Sequence, residues 1–183
     1  MQELLILAIC VVAVMAVAAL ALPYLGPTVR IIERVSLFGS VAIILMVMAF
    51  VGSEVVMRYV FNSPIPGHLE LSELLVPVIV FLALSFTQAT HGHVGMDLVI
   101  DALTPEGRRR AAIVTLSASI FICAVVAWFS FKNAYQMYEY EDVTMSPPYF
   151  ETWTYAMTIP IGYLLCAVRM VIQVLNLINP QRF

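Results

Sequence analysis

Five apolar runs dominate this 183-residue chain, at residues 4–22, 35–57, 71–90, 111–131 and 154–177. Each is about twenty residues long, and a helix rising 1.5 Å per residue then covers the roughly 30 Å hydrocarbon core of a bilayer. Hydrophobic residues make up 62% of the chain and charged residues 11%, where a soluble domain carries about 25% charged residues. A core of this size cannot hide that much apolar surface, so lipid is the solvent. The sequence predicts an all-α integral membrane protein in one domain, residues 1–183, with five membrane-crossing helices. No repeat, low-complexity tract or soluble domain separates them. A net charge of −3, with one short basic run, gives no footing for nucleic acid.

The first run carries Ala19-Leu20-Ala21, which has the small-residue character of a signal-peptide cleavage site. No Lys or Arg precedes it, and the run is longer than an h-region of about 7–15 residues. It is therefore read as an uncleaved helix. The cations then set the orientation. Arg30 and Arg34 lie between the first and second runs, Arg108, Arg109 and Arg110 between the third and fourth, and Arg182 on the tail, with Arg169 toward the same side. Only Arg58 and Lys132 lie opposite. By the positive-inside rule the amino terminus is outside and the carboxyl terminus cytoplasmic.

On that reading residues 133–152 face outward. Tyr135, Tyr138, Tyr140, Tyr149, Phe150 and Trp153 crowd this stretch beside Glu139, Glu141, Asp142 and Glu151, and Tyr and Trp favour the headgroup level. An aromatic belt is the first expectation and a docking rim for an outside partner the second. Cys10, Cys123 and Cys166 stand singly in three different runs, without metal or redox spacing, and read as small buried hydrophobes.

The polar residues cluster in an elbow, residues 58–73. Glu54 and Arg58 are spaced i,i+4, the geometry of a side-chain pair on one helix face, and pairing offsets the cost of a carboxylate near lipid. Glu70 and Glu73 open the next helix, where acidic groups suit the positive end of the macrodipole. No nucleophile, metal set or phosphate loop accompanies them, so catalysis is not expected. Pro77 and Pro160 sit in apolar runs and predict kinks. His91, His93 and Asp97 follow the third run, with His93 and Asp97 spaced for a hydrogen bond on a helix. His68 is in the outer elbow, so no histidines face each other from different spans as haem would need. Glu106 and Arg110, after Thr104-Pro105, fit a helix start.

Taken in order, these residues resemble the small membrane subunit (the Q, or DctQ-like, subunit) of tripartite ATP-independent periplasmic transporters. The resemblance rests on Arg58-Tyr59-Val60-Phe61-Asn62, Pro64 and Pro66, Glu70 and Glu73, Gly92-His93-Val94-Gly95-Met96-Asp97 and Arg108–Arg110, and spans residues 35–177. The chain departs from the pattern at Gly67-His68, where members often have Trp, and at Gly95, where many are basic. Residues 4–22 add a helix to the common four-helix form.

The resemblance implies a non-enzymatic transport component of the bacterial inner membrane. A large M subunit would carry substrate and sodium, and this chain would hold its scaffold part in the bilayer. A periplasmic binding protein would deliver an organic acid, a carboxylate or sulfonate, with a sodium gradient driving uptake. No cofactor is expected in this chain. Glu54, Arg58, Tyr59, Glu70, Glu73, His93 and Asp97 are the candidates for shaping the elbow and its partner contacts. Two other classes compete: a haem- or quinone-binding anchor of a redox enzyme, which would show a haem band, and a self-sufficient channel, which would need a polar pore.

Overall fold

The computed structural model describes residues 2–90 and 103–178, with side chains from residue 27 onward. The described chain is helical: α1 (Gln2–Val60), α2 (His68–Ala89), α3 (Pro105–Glu139), the short α4 (Thr152–Ala156) and α5 (Thr158–Ile178). Four stretches are long and apolar enough to cross a membrane: Pro27–Val60, His68–Ala89, Pro105–Glu139 and Thr152–Ile178.

The expected separation of residues 4–22 from residues 35–57 is not seen. Both lie in α1, a single helix of 59 residues. Pro23, Gly26 and Pro27 punctuate the sequence without turning the chain. A proline removes one helix donor but does not force a reversal when good helix formers flank it. An additional N-terminal crossing helix is therefore not established.

The remaining boundaries follow local chemistry. Asn62, at φ 50°, closes α1 with a left-handed residue, and Ser63 N donates back to Met57 O at 3.1 Å. Pro66-Gly67 then makes the turn into α2, with Gly67 at φ 75°. Thr104 caps α3, its side chain accepting from Gly107 N at 3.3 Å, and Pro105 fills the first turn. Pro77 lies inside an unbroken α2. Pro160 is the third residue of α5, where its missing donor has no intrahelical partner to lose. The break in the last span falls at Met157, between α4 and α5.

The main packing interfaces are α3 with α5, α1 with α2, and α2 with α5. The core gathers on α5, where Cys166, Ala167, Met170, Val171, Ile172 and Val174 pack with Val29, Ile120 and Cys123. Many of these are small, which lets backbones approach closely. Gly162 shows this best: a Cβ there would lie 2.5 Å from Phe81 O and 2.7 Å from Phe81 Cβ. Next to it, the Phe81 and Tyr163 rings pack with centroids 5.2 Å apart.

Candidate functional site

The polarity of α1 points inward. Its buried residues after Pro27 are Val29, Glu33, Ser40 and Glu54, whereas Val35, Phe38, Leu45, Met48 and Val55 face away from the bundle. Residues 33, 40 and 54 are separated by multiples of seven, so they share one helix face. Ser40 Oγ uses that face to donate to Ile79 O at 2.8 Å, tying α1 to α2. Such an inversion is what lipid demands, because polar groups there must find partners inside the protein.

Two polar layers result. At one end Glu54 Oε1 accepts from Arg58 Nε at 2.9 Å and from Arg58 Nη2 at 2.6 Å. Arg58 Nη2 also reaches His68 Nε2 at 3.2 Å, and His68 Nδ1 lies 2.9 Å from Ile65 O. At the other end Glu33 Oε1 accepts from Ser85 Oγ at 3.0 Å, and Glu33 Oε2 lies 3.6 Å from Arg169 Nη1. Beside this pair Gln88 Nε2 donates to Gln173 Oε1 at 2.8 Å, and Gln173 Nε2 donates to Gln88 O at 2.9 Å. Arg169 Nε is buried and has no hydrogen-bond partner among the described residues. Residues 35–53 between Glu33 and Glu54 hold no charged side chain. Twenty-one residues of helix rise about 31 Å, the thickness of the hydrocarbon core. The two layers are therefore separated by about the thickness of that core, with no charged side chain on α1 over residues 35–53.

The second layer has no counterpart among the sequence expectations, which put Arg30 and Arg34 between two separate helices. The heptad spacing of Glu33, Ser40 and Glu54 was the available signal. Cys123 and Cys166, expected as small buried hydrophobes in separate runs, are both buried and share one core cluster between α3 and α5.

The elbow is braced by the segment after α3. Glu70 accepts a hydrogen bond from Ser146 Oγ, and Pro148 packs directly over Gly67. That segment is ordered by its own backbone: Val143 and Glu151 form an antiparallel bridge, and Thr144 N donates to Phe150 O at 3.0 Å. Trp153 stacks edge-on against Tyr138 and donates through Nε1 to Glu151 at 2.9 Å. An open recess of about 910 Å³ lies there, lined by Tyr138, Glu139, Glu141, Asp142, Val143, Glu151 and Trp153. Of the other candidates, Tyr59 is 80% exposed and Glu73 is exposed, each on the bundle's outer surface. His93 and Asp97 lie outside the described residues. Arg110 and Glu106 approach to 3.7 Å on the exposed start of α3.

Compared with known families, residues 45–179 match the DctQ component of the tripartite ATP-independent periplasmic transporters. The chain belongs to the DctQ family. No curated protein matches it. A DctQ protein is a component of a transporter, and its multi-pass character agrees with the four apolar helices. The DctQ match takes in Glu54, the whole elbow at residues 58–73, and the Arg169 half of the second layer. It begins after Glu33, so the carboxylate that neutralises Arg169 comes from the part of α1 that precedes the matched region.

Proposed function

We propose that this chain is the small subunit of a sodium-driven transporter that takes up an organic acid, a carboxylate or sulfonate, across the bacterial inner membrane. It acts as a scaffold for the large M subunit, which binds substrate and sodium, while a periplasmic binding protein supplies the solute. The elbow faces the periplasm, and Arg108–Arg110 and the carboxyl terminus face the cytoplasm, in keeping with the distribution of cations. Glu54, Arg58, Tyr59, Glu70 and Glu73 shape the elbow and the adjoining contact with the large subunit, and His93 and Asp97, which follow α2 in the sequence, are further candidates for partner contacts.

The observation that carries this reading is the outward face of α1. Phe38, Met48 and Tyr59 are 71%, 66% and 80% exposed, while Glu33 and Glu54 of the same helix point inward. A helix with so little of its length covered by its own chain suits a place between lipid and a larger membrane partner. The test is co-expression of the tagged chain with a large permease subunit and binding protein encoded beside it. Co-purification, with sodium-dependent uptake of a labelled carboxylate or sulfonate only when all three are present, is expected. Flux through this chain alone, or a large subunit that transports fully without it, overturns the assignment.

A further inference from the structure

We propose that His68 is a proton-operated latch on Arg58, holding the guanidinium in the elbow when neutral and releasing it when protonated. The imidazole has two polar neighbours that fix its state. Nδ1 lies 2.9 Å from Ile65 O, and a carbonyl only accepts, so Nδ1 carries the hydrogen. Nε2 lies 3.2 Å from Arg58 Nη2, and a guanidinium only donates, so Nε2 presents its lone pair. Both contacts require the neutral Nδ1–H tautomer.

Binding one proton at Nε2 turns that acceptor into a donor. The hydrogen bond from Arg58 is lost and two cations face each other. The nearest anion is Glu54 Oε1, 3.7 Å from His68 Nε2, and that oxygen is already occupied by Arg58 Nε and Nη2. The imidazolium and the guanidinium then compete for one buried carboxylate. Glu54 is 2% exposed and cannot leave, whereas the Arg58 side chain is 47% exposed and can. Arg58 is the group that yields, and the trio passes from net zero to one positive charge.

The surroundings leave this exchange between those groups. From α1 the charged neighbours of His68 are Glu54 and Arg58. On α2 Glu70 is within electrostatic reach of it. The segment packed over Gly67 contributes Ser146, Pro147 and Pro148, none of which titrates. Imidazole is also the side chain whose charge changes in the mildly acidic range met outside a bacterial cell.

The experiment uses the full chain in lipid nanodiscs, labelled with 15N at histidine and arginine. His68 is assigned among the three histidines by the signal lost in His68→Gln. At pH 8 the expected pattern is a protonated Nδ1 and a bare Nε2. As pH falls, the Arg58 Nε resonance is expected to shift with the same midpoint as the His68 ring. Glu54→Gln is expected to move that midpoint to lower pH and Arg58→Gln to higher pH, so either variant suffices if the other fails to fold. An Nε2–H tautomer at pH 8, an Arg58 resonance unmoved through the His68 titration, or a midpoint indifferent to the substitution overturns the proposal.

Discussion

Glu33 and Glu54 share one face of α1, three heptads apart, and each is only 2% exposed. Each meets an arginine, Glu33 across the bundle at Arg169 and Glu54 one turn along its own helix at Arg58. The rise between them, about 31 Å, matches the hydrocarbon core. The helix is thus pinned by an ion pair at each of two levels, with no charged side chain over residues 35–53 between them.

The two pins differ in what their loss does. Glu33→Ala leaves Arg169 buried without its anion and is expected to cost about 3–5 kcal/mol. Replacing the pair together, Glu33→Leu with Arg169→Met, is expected to recover most of that loss, since neither ion remains to be desolvated. Thermal unfolding of both variants in detergent, against the parent chain, measures the difference. A single substitution as stable as the parent would show that the pair contributes nothing.

Gly162 and Gly39 separate close packing from helix propensity. Gly162→Ala places a Cβ against the Phe81 backbone, and overpacking of this kind costs about 1–3 kcal/mol. Gly39 and Gly52 have nothing within 4 Å of a built Cβ, so alanine there is expected to be neutral or to stabilise by about 0.5–1 kcal/mol. Equal melting temperatures for Gly162→Ala and Gly39→Ala would refute the close contact between α2 and α5.

Gly67 is constrained twice, by φ 75° and by Pro148. Gly67→Ala is expected to lift the segment around Pro148 from the elbow, because an L side chain is strained at that φ and collides with the ring. Ser146→Ala removes the bond to Glu70 without altering the turn. Limited proteolysis between residues 143 and 150 is expected to speed up in both, more in the glycine variant. Unchanged cleavage would mean that the segment holds its place without the elbow.

Arg58→Ala removes the partner of a buried carboxylate and is expected to weaken assembly with the large subunit, lowering uptake at unchanged solute preference. Initial uptake rates for a panel of organic acids measure it. Wild-type rates, or a switch in preferred solute, would remove Arg58 from the scaffold role.

Cys123 and Cys166 are expected to resist a water-soluble maleimide in the folded bundle and to react once it is unfolded, since both are buried between α3 and α5. Mass spectrometry after timed labelling reads this directly. Rapid labelling of either thiol in the native chain would contradict the packing of that interface.

Much of the candidate site was legible because it is local. Glu54 and Arg58 are one turn apart in a run that had to be helical, and Thr104-Pro105 marks the start of α3 through groups within three residues. Asn62 and Gly67 likewise set the elbow by their own backbone conformations. The stretch that differed was residues 23–34, the gap between two apolar runs that holds Arg30 and Arg34, through which α1 instead continues. Punctuation residues give only a bias at a boundary, and the helix formers on either side carried the chain through.

By itself, the sequence determined that the chain lives in lipid, that its spans are helices, and that its polar elbow joins two of them. Those conclusions need only the length of apolar runs and spacings within one helix. The tertiary structure alone decided that Glu33 meets Arg169, that Cys123 meets Cys166 and that Gly162 admits Phe81. In water, a polar face and an apolar face reveal which side of a helix turns inward. In lipid both sides are apolar, so which residues meet across the bundle is settled by packing and by the few polar groups that must find one another.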